Sequence, residues 1–399
     1  MAGKVLENHF DNHLRERGGF WYGMLMSSKV YFSDARASSR RSRLDKVREL
    51  IVRADLASVV AEGDRVAIKV HWGEPGNVAF LPPPYVRLVA EQVRKAGGLP
   101  FVTDANTLYT GMRRDAVQNL LAAAHNGYTQ ETLTAPVIVA DGLKGHDGRE
   151  VDLPGTSVGK AKIASGILDA DAMVVLSHVK GHMLMGFGGA LKNLGMGCAT
   201  PAGKQILHSD VRPRVEAERC RGDGACVKRC PERCIELVER SGATGAASRR
   251  VARIDAARCI GCGECTAACP HEAIPVRWKT SAEAIQRKTA EYALAAVKDK
   301  PGKVGYLNFL LQVTPDCDCC HWSDNAFVPD VGFLASTDPV AIDAASLDLV
   351  RAAPPLPGSR AEGCRGDPWR AVYDIDPSFI LEHGEKLRLG SRDYKLIKV

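Results

Sequence analysis

Short apolar runs alternate with longer amphipathic stretches through the first half of the chain. The runs "RVAIKVHW" (65–72), "LPFVTDAN" (99–106), "APVIVADGL" (135–143) and "DAMVVLSHVKGH" (171–182) read as strands. Between them, residues 43–62, 84–97, 112–126 and 157–168 carry apolar side chains at helical spacing. Strands this short and this continuously apolar are buried on both faces, so the pattern predicts an α/β fold with a parallel or mixed sheet covered by helices. From about 213 to 277 the texture changes: cysteine and proline become frequent and the helical stretches shorten. The α/β pattern then resumes with a helix over 281–298, strands at 303–311 and 327–335, and a helix over 338–350. The expected organisation is one α/β domain in two parts, 26–212 and 278–351, interrupted by a cysteine-rich insertion at 213–277. Residues 1–25 read as an N-terminal extension and 352–399 as a tail that wraps the surface.

Composition narrows the function classes. A chain of 399 residues with 45% hydrophobic and 25% charged positions is an ordinary globular protein of two or three domains. The net charge of +6 is spread along the chain, and the one dense basic run, "RASSRRSR" (36–43), leads into a helix, so nucleic-acid binding is not expected. Nothing approaches the roughly 18 apolar residues of a membrane span, and the N-terminus lacks the apolar core of a signal peptide. Thirteen cysteines without an export signal point to metal binding in a reducing compartment, the cytoplasm by default.

Two runs in the insertion carry the most specific chemistry. "CIGCGECTAACP" sets Cys259, Cys262, Cys265, Cys269 and Pro270 at the C-x2-C-x2-C-x3-C-P spacing of an iron–sulfur cluster. Zinc ribbons use separated C-x2-C pairs instead. "CRGDGACVKRCP" repeats the pattern with Cys220, Cys226, Cys230 and Pro231, but Asp223 fills the second cysteine slot. In two-cluster proteins the fourth cysteine of each run serves the other cluster. The expected ligand sets are Cys259, Cys262, Cys265 and Cys230 for one cluster, and Cys220, Cys226, Cys269 and position 223 for the other. Two 4Fe–4S clusters are the expected cofactors. At position 223 several outcomes are open: Asp223 ligates the iron, the fourth iron is labile and leaves a 3Fe–4S form, that iron is open to water or substrate, or Cys234 substitutes. The intervening segment reads as a hairpin, and the insertion resembles a bacterial two-cluster ferredoxin.

A second constellation lies in the α/β part. "SHVKGHMLMGFGGALKNLGMGCATPAGKQILH" (177–208) brings His178, Lys180, His182, Lys192, Asn193, Cys198, Lys204 and His208 together after a strand, at the sheet edge where open α/β folds bind ligands. Its "GFGGALKN" would offer helix N-terminal amides to an anion. "KVHWGEPGN" and "TDANTLYTGMRR" add candidate substrate residues Lys69, His71, Asn77, Asp104 and Arg113, with Glu74, Asn106 and Tyr109 beside them. "TPDCDCCHWSDN" adds Cys317, Cys319, Cys320 and His321, a further metal or redox candidate shared with Cys198 or His208.

These motifs, together with "PDVGFLASTDPVAIDAA", resemble the iron–sulfur family called domain of unknown function 362 over about Met26 to Leu349. The resemblance implies an α/β domain with an inserted ferredoxin, used in redox metabolism; many members keep the cysteine that Asp223 replaces. A fainter similarity is to nickel-pincer lactate racemases, echoed by His182, Gly186-Phe187-x-Gly189, Lys192 and His208, and it implies a similarly placed site. The expected function is an iron–sulfur oxidoreductase passing electrons through two clusters to a small anionic substrate, with His178, Lys180, His182, Lys192 and His208 as catalytic residues. The alternative is a non-catalytic electron carrier or metallocentre-assembly factor acting on a protein partner. An electron donor or acceptor protein is expected in either case, and no GxGxxG follows a strand to suggest a nicotinamide or flavin.

Overall fold

The computed structural model describes residues 27–109, 111–208, 212–240, 249–259, 261–275 and 280–399, so the expected extension at 1–25 lies outside the described residues. The chain enters through β1 (Ser28–Asp34) and α1 (Arg43–Arg53). Ser42, inside the basic run, starts α1 through a capping box: its hydroxyl accepts from the Asp45 amide and Asp45 reaches back to the Ser42 amide. The helix stops well before 62, because Asp55 turns left-handed (φ 51°) into a 3₁₀ turn at Leu56–Val59. β2 (Arg65–Lys69), α2 (Pro83–Lys95), β3 (Leu99–Asp104), α3 (Ala116–His125), α4 (Gln130–Leu133) and a short β4 (Val137–Val139) follow.

The helix expected over 157–168 is replaced by an antiparallel hairpin, β5 (Gly148–Asp152) with β6 (Lys160–Ala164), and one turn of helix α5 (Ser165–Leu168). The reason is a period of two: Ala161 and Ile163 are fully buried while Lys160 is exposed between turn and strand, and Gly159 at φ 65° makes the reversal. β7 (Ala172–His178) is buried along its whole length. The expected single strand breaks at Val179 into a small hairpin, β8 (Lys180–His182) and β9 (Gly186–Gly188), followed by α6 (Ala190–Gly195) and α7 (Pro201–His208).

The chain then leaves the main sheet for α8 (Ala225–Arg229), the hairpin β10 (Ile235–Arg240) and β11 (Arg249–Ile254), and α9 (Glu264–Ala268). It returns through α10 (Ala282–Val297), β12 (Val304–Leu310), β13 (Gly332–Ser336) and α11 (Pro339–Arg351). β13 starts five residues later than 327, beyond Pro329, which has no amide to give a ladder. The tail holds α12 (Pro368–Val372), α13 (Phe379–Lys386) and β14 (Tyr394–Lys398). It is more than a surface wrap: β14 pairs in parallel with β1 as an edge strand, and Trp369 is fully buried between Phe187 and Phe327.

The main sheet has eight strands in the order β14-β1-β13-β12-β7-β2-β3-β4, and only β13 runs against the rest. Alternate residues of β7 enter opposite cores: Met173 and Val175 pack with α6, α10 and α11, and Val174 and Leu176 pack with α2. Each such buried side chain contributes roughly 1.5–3 kcal/mol. The fold is therefore the covered α/β sheet that the apolar runs predict. The C-terminal ends of β12, β7, β2 and β3 meet at one edge, and the site candidates of the α/β part gather there.

Candidate redox and metal site

A cavity of about 720 Å³ opens at that edge. Three loops hold its walls together, and each contact depends on local sequence. The β8–β9 hairpin lies directly against the loop after β12: the Gly181 amide donates to Thr314 O (2.8 Å), and a Cβ at Gly181 would sit 2.1 Å from Pro315 O. Only glycine permits that approach. The "GEPGN" turn after β2 braces the same loop from the other side. Glu74 N donates to Asp318 O (2.9 Å) and Asn77 Nδ2 to Trp322 O (2.8 Å).

Asp318 is the anchor of the cysteine loop. Its carboxylate is fully buried between His178 Nδ1 (2.8 Å) and Lys180 Nζ (3.0 Å). Burial alone would raise the Asp318 pKa, but these two partners hold it below the usual carboxylate range. The other ring nitrogen of His178 faces Leu311 O (2.8 Å), so both nitrogens meet acceptors and the ring is held in place rather than free to shuttle protons. With Asp318 fixed, the side chains on either side of it, Cys317 and Cys319, face the cavity. Their sulfurs and an imidazole nitrogen of His182 lie within 4.8 Å of one another. Lys192 Nζ is 3.2 Å from Cys317 Sγ, and the Cys319 amide points at the same sulfur (3.4 Å). A hydrogen bond to Cys319 and burial push the Cys317 thiol well up, so it stays protonated until a cation displaces the proton.

The remaining charges divide into satisfied and unsatisfied groups. Arg113 is buried among Glu74 (3.0 Å), Asp104 (3.4 Å) and the Tyr109 hydroxyl. Lys69 sits behind the cavity on Asp104 (2.8 Å) and Asn193 (2.7 Å). Lys192 and Lys204 differ: among the described residues neither has a carboxylate at ion-pair distance. Lys204 instead donates to Asn106 O (2.7 Å) and Ala199 O (2.6 Å), and burial pushes its pKa down to about 8. Burial also lowers His182 and His71 well below the usual histidine value and His208 to about 3, so all three are neutral imidazoles at pH 7. The cavity thus presents two ammonium groups without an ion-pair partner among the described residues, neutral imidazoles and the thiols of Cys317, Cys319 and Cys320.

The helix N-terminus in "GFGGALKN" is not open to a ligand. The Ala190 and Leu191 amides donate to the buried Asp343 carboxylate of α11 (2.7 and 2.9 Å), which also accepts from Asn308 Nδ2 (2.8 Å). That internal anion fixes α6, and with it Lys192.

The two cysteine loops form an internal repeat. Gly222 and Gly224 have φ of 67° and 73°, and Gly261 and Gly263 have 74° and 74°. α8 and α9 start at equivalent points, and Arg233 (φ 46°) and Glu272 (φ 50°) occupy equivalent left-handed positions. Backbone amides aim at sulfur in both halves: Cys234 N to Cys230 Sγ (3.4 Å), Ala273 N to Cys269 Sγ (3.3 Å) and Ala252 N to Cys220 Sγ (3.3 Å). Cys230, Cys234, Cys259, Cys262 and Cys265 surround one small cavity, so Cys234 falls with this set and not at position 223. Cys220, Cys226 and Cys269 are close enough that their charges raise the Cys226 pKa to about 11, after burial. Thiols so buried and crowded fit metal–sulfide groups that need thiolates and amide donors. Asp223 stands where Cys262 stands in the other loop; its carboxylate accepts from Ala225 N (3.0 Å) and pairs with His271 Nε2 (3.2 Å).

The loops dock on the α/β part. A Cβ at Gly263 would lie 2.4 Å from Gln205, Glu264 pairs with Lys162 (2.6 Å), and Arg114 donates to Cys269 O (2.5 Å) and pairs with Glu272 (3.0 Å).

Of the residues singled out from the sequence, His71, Asp104, Arg113, His178, Lys180, His182, Lys192, Asn193, His208, Cys317, Cys319 and Cys320 line the cavity. Lys69 and Asn77 support its walls from behind, and Cys198 is a fully buried core thiol whose pKa burial raises to about 11. The anchoring roles of Asp318 and Asp343 escape sequence reading. The available signal is a lone aspartate in an otherwise apolar setting, "PVAIDAAS" for Asp343. All thirteen cysteines are free, and among the described residues no helix is long and apolar enough to cross a membrane.

Comparison with known proteins adds three findings. The family model described as "Domain of unknown function (DUF362)" matches residues 66–348. Thylakoid-associated protein sll1697 of Synechocystis sp. is 26% identical over 192 residues, which is 47% of this chain and 53% of that protein, so the chain matches about half the length of this curated relative. The lactate racemase apoprotein from Thermoanaerobacterium thermosaccharolyticum aligns over 81% of this chain and 57% of its own, with a TM-score of 0.38 and 15% identity, too slight a likeness to carry chemistry across.

Proposed function

The chain belongs to the family of unknown function DUF362, and we propose that it is an iron–sulfur oxidoreductase that reduces a small anion in the α/β cavity. In this reading 213–277 is a ferredoxin-type insertion. One cluster is held by Cys230, Cys259, Cys262 and Cys265, the other by Cys220, Cys226, Cys269 and the Asp223 corner. When bound, the clusters supply electrons one at a time, and a partner protein replenishes them. The free thiols suit a reducing compartment such as the cytoplasm.

The observation that carries this reading is the two-sided use of α7. One side sends Lys204 and His208 into the cavity, while Ala202 and Gln205 pack on Gly263, at the start of the helix that bears Cys265. One short helix therefore separates a cluster loop from the cavity. Lys192 and Lys204 supply the charge that holds an anionic substrate. Lys204, lowered to about 8, carries a proton at neutral pH and releases it readily, which suits a general acid better than the fixed His178 or the neutral His208.

The test is iron and sulfide content with electron paramagnetic resonance on protein purified without oxygen. The reading predicts about seven or eight irons per chain and two reducible signals. Cys265→Ser and Cys220→Ser should each perturb a different one. Iron-free protein, or zinc in place of iron, would refute it.

A further inference from the structure

We infer that His182, Cys317 and Cys319 bind a single soft metal ion at the cavity floor, with one coordination position open to the substrate. The inference is independent of the cluster reading, because it uses none of the cysteines in 213–277.

Three donors of the right kind converge here: two sulfurs and one imidazole nitrogen, all within 4.8 Å of each other. Tetrahedral zinc, with bonds of about 2.0–2.3 Å, sets its ligand atoms roughly 3.5–3.8 Å apart. Closing this triad on an ion therefore takes movement of only about an ångström. The donors are held by built supports rather than chance. Cys317 and Cys319 flank Asp318, which His178 and Lys180 fix, and His182 rides a hairpin pinned to the cysteine loop through Gly181. The Leu184 amide now donates to His182 Nδ1 (3.1 Å), a bond that is given up, or that turns with the ring, when the imidazole takes an ion.

Thiolate and imidazole donors choose a zinc-, nickel- or cobalt-class ion over magnesium or calcium. Two thiolates balance a divalent charge, and the Lys192 ammonium beside Cys317 stabilises the ligand sulfur while adding positive potential for an anion. Three protein ligands and a free fourth position make a catalytic kind of site rather than a closed structural one. The cavity that these donors line also holds Lys192 and Lys204, which would draw an anion to the open position, where its carboxylate or carbonyl oxygen would be polarised. Binding the ion releases the thiol protons to solvent and involves no change of oxidation state.

The experiment uses full-length protein purified without oxygen, chelators or nickel resin, loaded in turn with zinc, nickel and cobalt ions and desalted. Wild type should retain about one equivalent of non-iron metal. Cys317→Ser/Cys319→Ser should lose it, with at least tenfold weaker retention, while iron content and cluster spectra stay unchanged. Cys259→Ser/Cys262→Ser should lose iron and keep the extra ion, which separates failure of this site from failure of the cluster reading. Anomalous scattering on wild-type crystals at the iron, cobalt, nickel, copper and zinc edges needs no variant: a peak between His182 and Cys317 at any edge supports the site. Absence of a peak at every edge, or an extra ion that survives in Cys317→Ser/Cys319→Ser, overturns it.

Discussion

Replacing Asp318 with alanine tests whether the cavity is organised around that one carboxylate. In the native protein it is fully buried, accepts from His178 Nδ1 at 2.8 Å and pairs with Lys180 Nζ at 3.0 Å. Asp318→Ala leaves the buried Lys180 ammonium with no counter-charge and the His178 ring without its acceptor. Breaking a buried pair on one side costs about 3–5 kcal/mol. With a urea m-value of about 3 kcal/mol/M, that moves the unfolding midpoint down by about 1–1.7 M. Asp324→Ala is the control: its partner Arg360 is 3.0 Å away and both side chains are about two-fifths exposed, so the loss stays below about 1 kcal/mol. The pH dependence has a definite sign. Because the folded pKa of Asp318 lies below the unfolded value, its stabilisation is present above about pH 4 and fades as pH falls further. The difference between wild type and Asp318→Ala should therefore shrink as pH falls below about 4. A midpoint shift under 0.3 M, or a difference that grows on acidification, would refute the reasoning.

Other outcomes follow from the same geometry. Lys204→Gln should lower turnover of the anionic substrate by about 10²–10⁴-fold and remove the limb of the rate profile that falls as pH rises through about 8. In wild type the buried Lys204 ammonium opposes folding at neutral pH, because its folded pKa is about 8 against the ordinary lysine value of 10.5; stability should rise between those two pH values, and Lys204→Met should lack that rise in pH-dependent denaturation. Asp223→Cys completes the second motif, and oxidised protein should then lose any 3Fe–4S resonance and gain iron per chain; an unchanged spectrum and iron count would place the missing ligand elsewhere. Asp343→Ala strips three donors, Ala190 N, Leu191 N and Asn308 Nδ2, of their acceptor and should destabilise the fold by about 2–4 kcal/mol, read by urea denaturation.

Parts of this molecule were legible in the sequence for identifiable reasons. β7 is apolar at every position up to Ser177, and such a run has few options besides a central strand. The cysteine spacings are set by loop geometry local to each run, and the paired left-handed glycines repeat it in both halves. The cavity residues could be grouped because strand C-termini share an edge in a parallel sheet. What stayed hidden depends on distant partners. The run over 157–168 has helix-compatible composition, yet its burial alternates because it pairs with 148–152. "GFGGALKN" looks like an anion site until Asp343, far along the chain, fills it. The tail carries no sign that Trp369 and β14 belong to the core and sheet, since Trp369 needs Phe187 and Phe327 and β14 needs β1 near the other end of the chain.

The most direct test of the central claim follows electrons into the cavity. Holoprotein is reduced with dithionite under argon, excess reductant is removed, and small carbonyl-bearing or unsaturated carboxylates are added with no other protein present. The account predicts that at least one of these anions restores the oxidised cluster absorbance, and that Lys192→Gln/Lys204→Gln abolishes the response while leaving iron content unchanged. Reoxidation only by an added protein acceptor, at the same rate in wild type and the double variant, would contradict it.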